Sequence, residues 1–173
     1  MCRMILLVSA ALFLTAAMAP VHGDKDKTNK IPDAVVAVLE KADKWELFAL
    51  DPVIVKGKED KKDKGKDDKA ETRFHGWKVI GKTEVKDAET RTMLLASLKK
   101  GVAANKGEFA LCFNPRHAIR ATVEGKTVDL VICFECLRAR SVVDGKMTEF
   151  LLTNAPQAAF DTVLVDAKVI PRE

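Results

Sequence analysis

The sequence predicts an α+β domain, an antiparallel meander sheet covered on one face by amphipathic helices. Two hairpin signals carry that expectation. Glu124-Gly125-Lys126-Thr127 and Val143-Asp144-Gly145-Lys146 each separate runs in which apolar and polar residues alternate. The third observation is a set of three capped stretches with apolar residues at helical spacing, near 33–42, 88–104 and 156–167.

Residues 1–23 read as a signal peptide, with Arg3 as a basic start, an apolar run and small residues up to Gly23. Cys2 lies before the apolar run, so three of the four cysteines belong to the mature chain. Residues 24–30 read as a disordered, Lys/Asp-rich linker, and 31–173 as a single α+β domain. Within that domain 56–69 is expected to be a disordered surface loop, because it offers scarcely an apolar residue to bury. The net charge of +4, from 29 basic and 25 acidic residues, is mild. Lysines in the two charged stretches alternate with Asp and Glu, which cancels the field a nucleic-acid partner would need.

Ile31-Pro32-Asp33 starts the first helix, with Val35, Val36 and Leu39 as its apolar stripe. A strand over 45–50 ends at Asp51-Pro52, and 74–85 reads as a second strand region. His75 in that region is not nominated as a ligand, since no partner for it is visible nearby. Asp87 is a suitable N-cap for a helix over 88–104, which Asn105 and Gly107 stop. Residues 109–113 are expected as a strand leading into the central hairpin.

A two-residue loop at Gly125-Lys126 would set Ala121 opposite Leu130, Ile119 opposite Ile132 and His117 opposite Phe134 on the core face. Arg120, Asp129, Cys133 and Glu135 then fall on the other face, with Arg116 opposite Glu135. The strand after this hairpin is read as continuing toward Val143. The second hairpin sets Arg140 opposite Glu149 and Ala139 opposite Phe150. Asn154 and Pro156 cap the last helix, giving the order α-β-β-α-β-β-β-β-α.

Phe74-His-Gly-Trp-Lys-Val, Cys112-Phe-Asn-Pro-Arg-His and Asp129-Leu-Val-Ile-Cys-Phe-Glu-Cys together resemble a group of secreted proteins from planctomycete-type bacteria. The resemblance spans most of the mature domain. It implies export, to the periplasm or beyond, and supplies no activity.

The chemistry-bearing residues converge at one end of the expected sheet. Cys112, His117, Cys133 and Cys136 form a candidate Cys3His set whose thiolates and imidazole suit tetrahedral zinc. Residues three apart on a regular strand point to opposite faces, so Cys133 and Cys136 can act together only if the strand bulges or turns there. A thiol-disulfide redox pair at Cys133 and Cys136 is the alternative, with Cys112 or Arg116 altering its thiol chemistry. A purely structural disulfide, between Cys133 and Cys136 or between Cys112 and one partner, would leave one buried thiol and a packed His117. The sequence has no Gly-x-Ser-x-Gly, no His-Glu-x-x-His and no tyrosine. The expected role is therefore a monomeric binding or structural module with a partner outside the cytoplasm, and an enzyme is the weaker reading.

Overall fold

The computed structural model describes residues 29–53 and 72–171. The stretch read as a signal peptide, most of the one read as a linker and the one at 56–69 read as a surface loop lie outside the described residues. Among the described residues three helices, α1 (Asp33–Lys41), α2 (Ala88–Ala104) and α3 (Gln157–Asp166), accompany seven strands. The strands are β1 (Lys44–Leu50), β2 (Arg73–Phe74), β3 (Trp77–Val85), β4 (His117–Val123), β5 (Lys126–Cys133), β6 (Arg138–Val143) and β7 (Lys146–Leu151). They form one sheet in the order β2-β3-β1-β4-β5-β6-β7, every neighbouring pair antiparallel. The fold class is the expected α+β with an antiparallel sheet.

Helix boundaries follow from local chemistry. The Asp87 carboxylate accepts the Thr90 amide at 2.6 Å, satisfying a donor that the first turn of α2 leaves without a helical partner. At the other end Asn105 Oδ1 accepts the amides of Gly107 and Glu108, while its Nδ2 donates to the Leu152 carbonyl. That side chain ties the end of α2 to the strand after β7. Asn29 does similar work: it donates to the Val102 and Leu151 carbonyls and accepts the Leu151 amide. The stretch expected as a charged linker is thus anchored at its C-terminal end.

Alternation along the strands divides the side chains between two clusters. Trp45, Leu47 and Ala49 of β1 join Ile119, Ala121, Val128, Leu130, Ile132, Ala139 and Phe150 in the larger one. The same cluster takes in Val35 and Leu39 of α1, Leu94 and Leu98 of α2, and Phe160 and Leu164 of α3. The opposite face carries a smaller cluster of Phe48, Leu50, Phe74, Trp77, Ala118 and Val131.

Four sequence expectations are corrected. The central hairpin turns at Glu124-Gly125, so Ala121 pairs with Val128, Ile119 with Leu130 and His117 with Ile132. Glu124 and Gly125 both adopt positive φ, 48° and 77°, the geometry of a type I′ turn rather than one with Gly first. The slip is two residues, which preserves the face of every side chain. Residues 109–113 do not form a strand, because β4 is already paired on both edges, by β1 and β5. The chain does not run straight from β5 toward Val143, since Phe134 to Leu137 reverse it and β6 pairs antiparallel with β5. Residues 74–85 are likewise broken, by a His75-Gly76 turn with φ of 49° and 91°. The second hairpin has the expected register, Arg140 opposite Glu149 and Ala139 opposite Phe150.

Candidate functional site

The reversal between β5 and β6 supplies the irregularity that Cys133 and Cys136 need. Across this turn the two sulfurs stand at disulfide distance, and both residues are about 1% exposed. Cys112 reaches the same place from the loop between α2 and β4. Its thiol is free and exposed, with Sγ 3.8 Å from Cys136 Sγ. Three sulfurs therefore lie in one contact chain, Cys112 to Cys136 to Cys133.

Backbone groups hold that chain. The Asn114 amide donates to Cys136 Sγ at 3.3 Å, and the Cys136 amide donates to Cys133 Sγ at 3.2 Å. The Ala110 amide donates to the Cys136 carbonyl, so the Cys112 segment is bonded to the turn on both sides of the cysteine. Arg138 adds a third tie: its Nη1 donates to the Ala110 and Leu111 carbonyls, and its guanidinium lies over the rings of Phe109 and Phe113. Arg140 stacks on Phe113 at 4.0 Å from the ring centre. Both arginines share one ion-pair partner, Glu149. Burial pushes the Glu149 carboxyl up, but the hydrogen bonds from Arg138 and Arg140 outweigh it and leave it below its ordinary value.

His117, the fourth candidate ligand, belongs elsewhere. It pairs with Ile132, so alternation puts it on the core face and Cys133 on the other. Its Nε2 is 2.7 Å from Asp161 Oδ1 on α3, and its ring meets Phe134 and Phe160 edge-on. Burial holds the imidazole below the ordinary histidine value, against the hydrogen bond and charge of Asp161. The neutral ring then donates Nε2–H to the carboxylate. This dyad lines a cleft of about 550 Å³ with Leu50, Ile80, Leu164 and Ile170. Arg116 and Glu135, the ion pair expected from sequence, lie in the same wall at 3.2 Å from each other.

A second histidine does have a partner. His75 Nε2 is 2.7 Å from Asp129 Oδ2, and Arg120 grips the same carboxylate through Nε and Nη2, both at 2.7 Å. Asp129 is a buried carboxylate at 7% exposure. Burial raises its carboxyl, but Arg120 and His75 outweigh burial and the net displacement is downward. Sequence reasoning missed this contact because 54 residues separate His75 from Asp129. It missed Asp161 for the same reason, at a separation of 44.

Among the described residues, no group of three His, Cys, Asp or Glu side chains is arranged to hold a metal. Zinc on Cys112, His117, Cys133 and Cys136 would require the disulfide to be reduced, since only thiolates ligate, and His117 to leave Asp161. Thiol-disulfide exchange needs no such rearrangement. No protein-family model matches the chain, and neither does any curated protein or solved structure.

Proposed function

We propose that the protein exchanges disulfides with the thiols of other proteins outside the cytoplasm, with Cys133 and Cys136 as its redox pair. The observation that carries this reading is the exposed Cys112 thiol in contact with a buried disulfide, at 3.8 Å from Cys136 Sγ. A disulfide that only braced the turn would gain nothing from a thiol held beside it, because a neighbouring thiolate is the reagent that opens disulfides. The apolar leader read at 1–23 supports export, where such chemistry is at home. Insulin reduction in the presence of dithiothreitol tests the reading. Wild-type protein should accelerate precipitation of the insulin chains and Cys136→Ser should not. Equal, background rates for both would contradict it.

A second reading, a small-ligand binding module, is favoured by the cleft beside His117 and Asp161. Its apolar wall and convergent polar groups are the usual makings of a binding site. Titration of the protein with small amphipathic compounds, followed by NMR, should then shift resonances of Ile80, His117 and Ile170. Shifts spread evenly over the surface, or none at millimolar concentration, would remove this reading.

A further inference from the structure

We infer that Cys112 is the thiol through which the buried disulfide exchanges electrons with a dithiol substrate, and that the substrate is a cysteine pair in an extended polypeptide. The inference rests on the exchange reading above and adds its route and its partner. Cys133 and Cys136 are each about 1% exposed, so an external thiolate has no line of attack on either sulfur. Cys112 is exposed and already touches Cys136 Sγ. It also follows two apolar side chains turned to solvent, Leu111 at 90% and Phe109 at 52% exposure. Exposed apolar groups next to a reactive thiol suit an unfolded chain, whose own apolar side chains are not yet buried.

The chemistry runs in three exchanges. In the first, Cys112 loses its proton to solvent and its thiolate attacks Cys136 Sγ. A Cys112–Cys136 bond forms, the Cys133–Cys136 bond breaks, and the electron pair leaves on Cys133 Sγ. The Cys136 amide, donating to that sulfur at 3.2 Å, stabilises the thiolate it becomes. Nothing is oxidised or reduced overall, but one sulfur of the disulfide is now at the surface. In the second, a substrate thiolate attacks Cys112 Sγ, forming a mixed disulfide and releasing the Cys136 thiolate. In the third, the second substrate thiolate attacks the substrate sulfur of that mixed disulfide and Cys112 leaves as a thiolate. Two electrons and two protons have passed from the dithiol to the protein, which ends with three thiols, while the substrate ends with a disulfide.

Arg138 is the positioning residue for this route. It ties the carbonyls of Ala110 and Leu111 to β6 and thereby holds the segment that carries Cys112.

The test uses oxidised mature protein, residues 24–173 with three cysteines, mixed with a reduced peptide that holds two cysteines, then quenched by alkylation and mapped by mass spectrometry. Cys112→Ser and Cys112→Ala, at an exposed position, should keep the Cys133–Cys136 disulfide and oxidise the peptide roughly 100-fold more slowly than wild type. Cys133→Ser should form a Cys112–Cys136 disulfide under mild oxidant. Arg138→Ala should slow peptide oxidation while leaving the disulfide in place, and Arg138→Lys should restore little, because a single ammonium cannot grip Glu149 as Nε and Nη2 do and reach both carbonyls as well. Cys112 variants that react at the wild-type rate would overturn the route and leave the exchange reading standing. So would two free thiols in oxidised Cys133→Ser. A wild-type protein that never oxidises the peptide and never reduces insulin would instead overturn the exchange reading beneath it.

Discussion

His117 shows how one residue can be placed on the correct face while its partner goes unseen. Alternation put it on the core face and Cys133 on the other, and the structure agrees. That separation already argued against a shared metal, yet proximity along the strands drew the two together. What no local pattern could reveal was Asp161, delivered by a helix 44 residues away. Its depressed pKa makes a signed prediction. The unfolded chain binds a proton near 6.5, whereas the buried imidazole does so only at lower pH. Stability from this residue is therefore fully present above about pH 6.5 and falls as the pH drops toward the folded-state value. His117→Gln can keep a donor toward Asp161 without titrating. Chemical denaturation at pH 7 and pH 5 should show a smaller loss for the variant than for wild type, and an equal loss would contradict the assignment.

Asp129 is lowered too, but by its partners and against burial. Its folded-state pKa lies below 3.8, so its contribution is present above that value and is lost as the pH falls through the folded pKa. Asp129→Asn should flatten this acid limb. It should also cost about 2 kcal/mol at neutral pH, a figure set below that for breaking a fully buried pair because Arg120 is itself half exposed. Urea titrations of both proteins at pH 7 and pH 3 measure each effect. No change at pH 7 would mean that the Arg120 and His75 contacts are not formed in solution.

Among the elements, helices were legible because each carried its own start and stop signals, as Asp87 and Asn105 do for α2. Hairpin β6–β7 was legible down to its register, since Asp144-Gly145 has one preferred turn. Glu124-Gly125-Lys126 admitted two turn types, and the choice fell to Glu124 accepting a left-handed conformation. Residues 109–113 have the composition of a strand, but strand formation needs a free sheet edge, and β1 had taken it. That pairing joins residues 68 to 78 positions apart and has no local signature. The approach of α2 to the start of α3 is another tertiary feature, marked only by a glycine. A Cβ at Gly101 would lie 2.6 Å from Pro156 Cγ and 3.0 Å from its Cδ. Alanine gains about 1 kcal/mol in helix propensity, whereas forcing a ring into an occupied space costs about 1 to 3 kcal/mol. Gly101→Ala should thus be destabilising in thermal melts, and adding Pro156→Ala should recover part of the loss. A variant more stable than wild type would show that the two elements sit further apart.

At the level of the molecule, the sheet has two unlike faces. One joins the apolar side chains of all three helices in the main core. The other bears a smaller apolar cluster beneath Arg120, Asp129, Arg138, Arg140 and Glu149. The three sulfurs gather where the loop before β4 crosses the turn between β5 and β6, so the site is made by the topology of the whole sheet rather than by one motif. Cys133 and Cys136 were visible as a pair in the sequence. Cys112 was visible as a neighbour for a different reason, the expected strand over 109–113, which does not form, and it reaches Cys136 through an irregular loop instead. The direct measurement is transfer of the disulfide in a single turnover. Oxidised protein and an equimolar reduced dithiol peptide are incubated without other oxidant, and thiols on each are counted by alkylation and mass. The account predicts that protein thiols rise from one toward three as peptide thiols fall from two toward none. A peptide that stays reduced while the protein keeps a single thiol, or a protein that carries three thiols before any peptide is added, would contradict it.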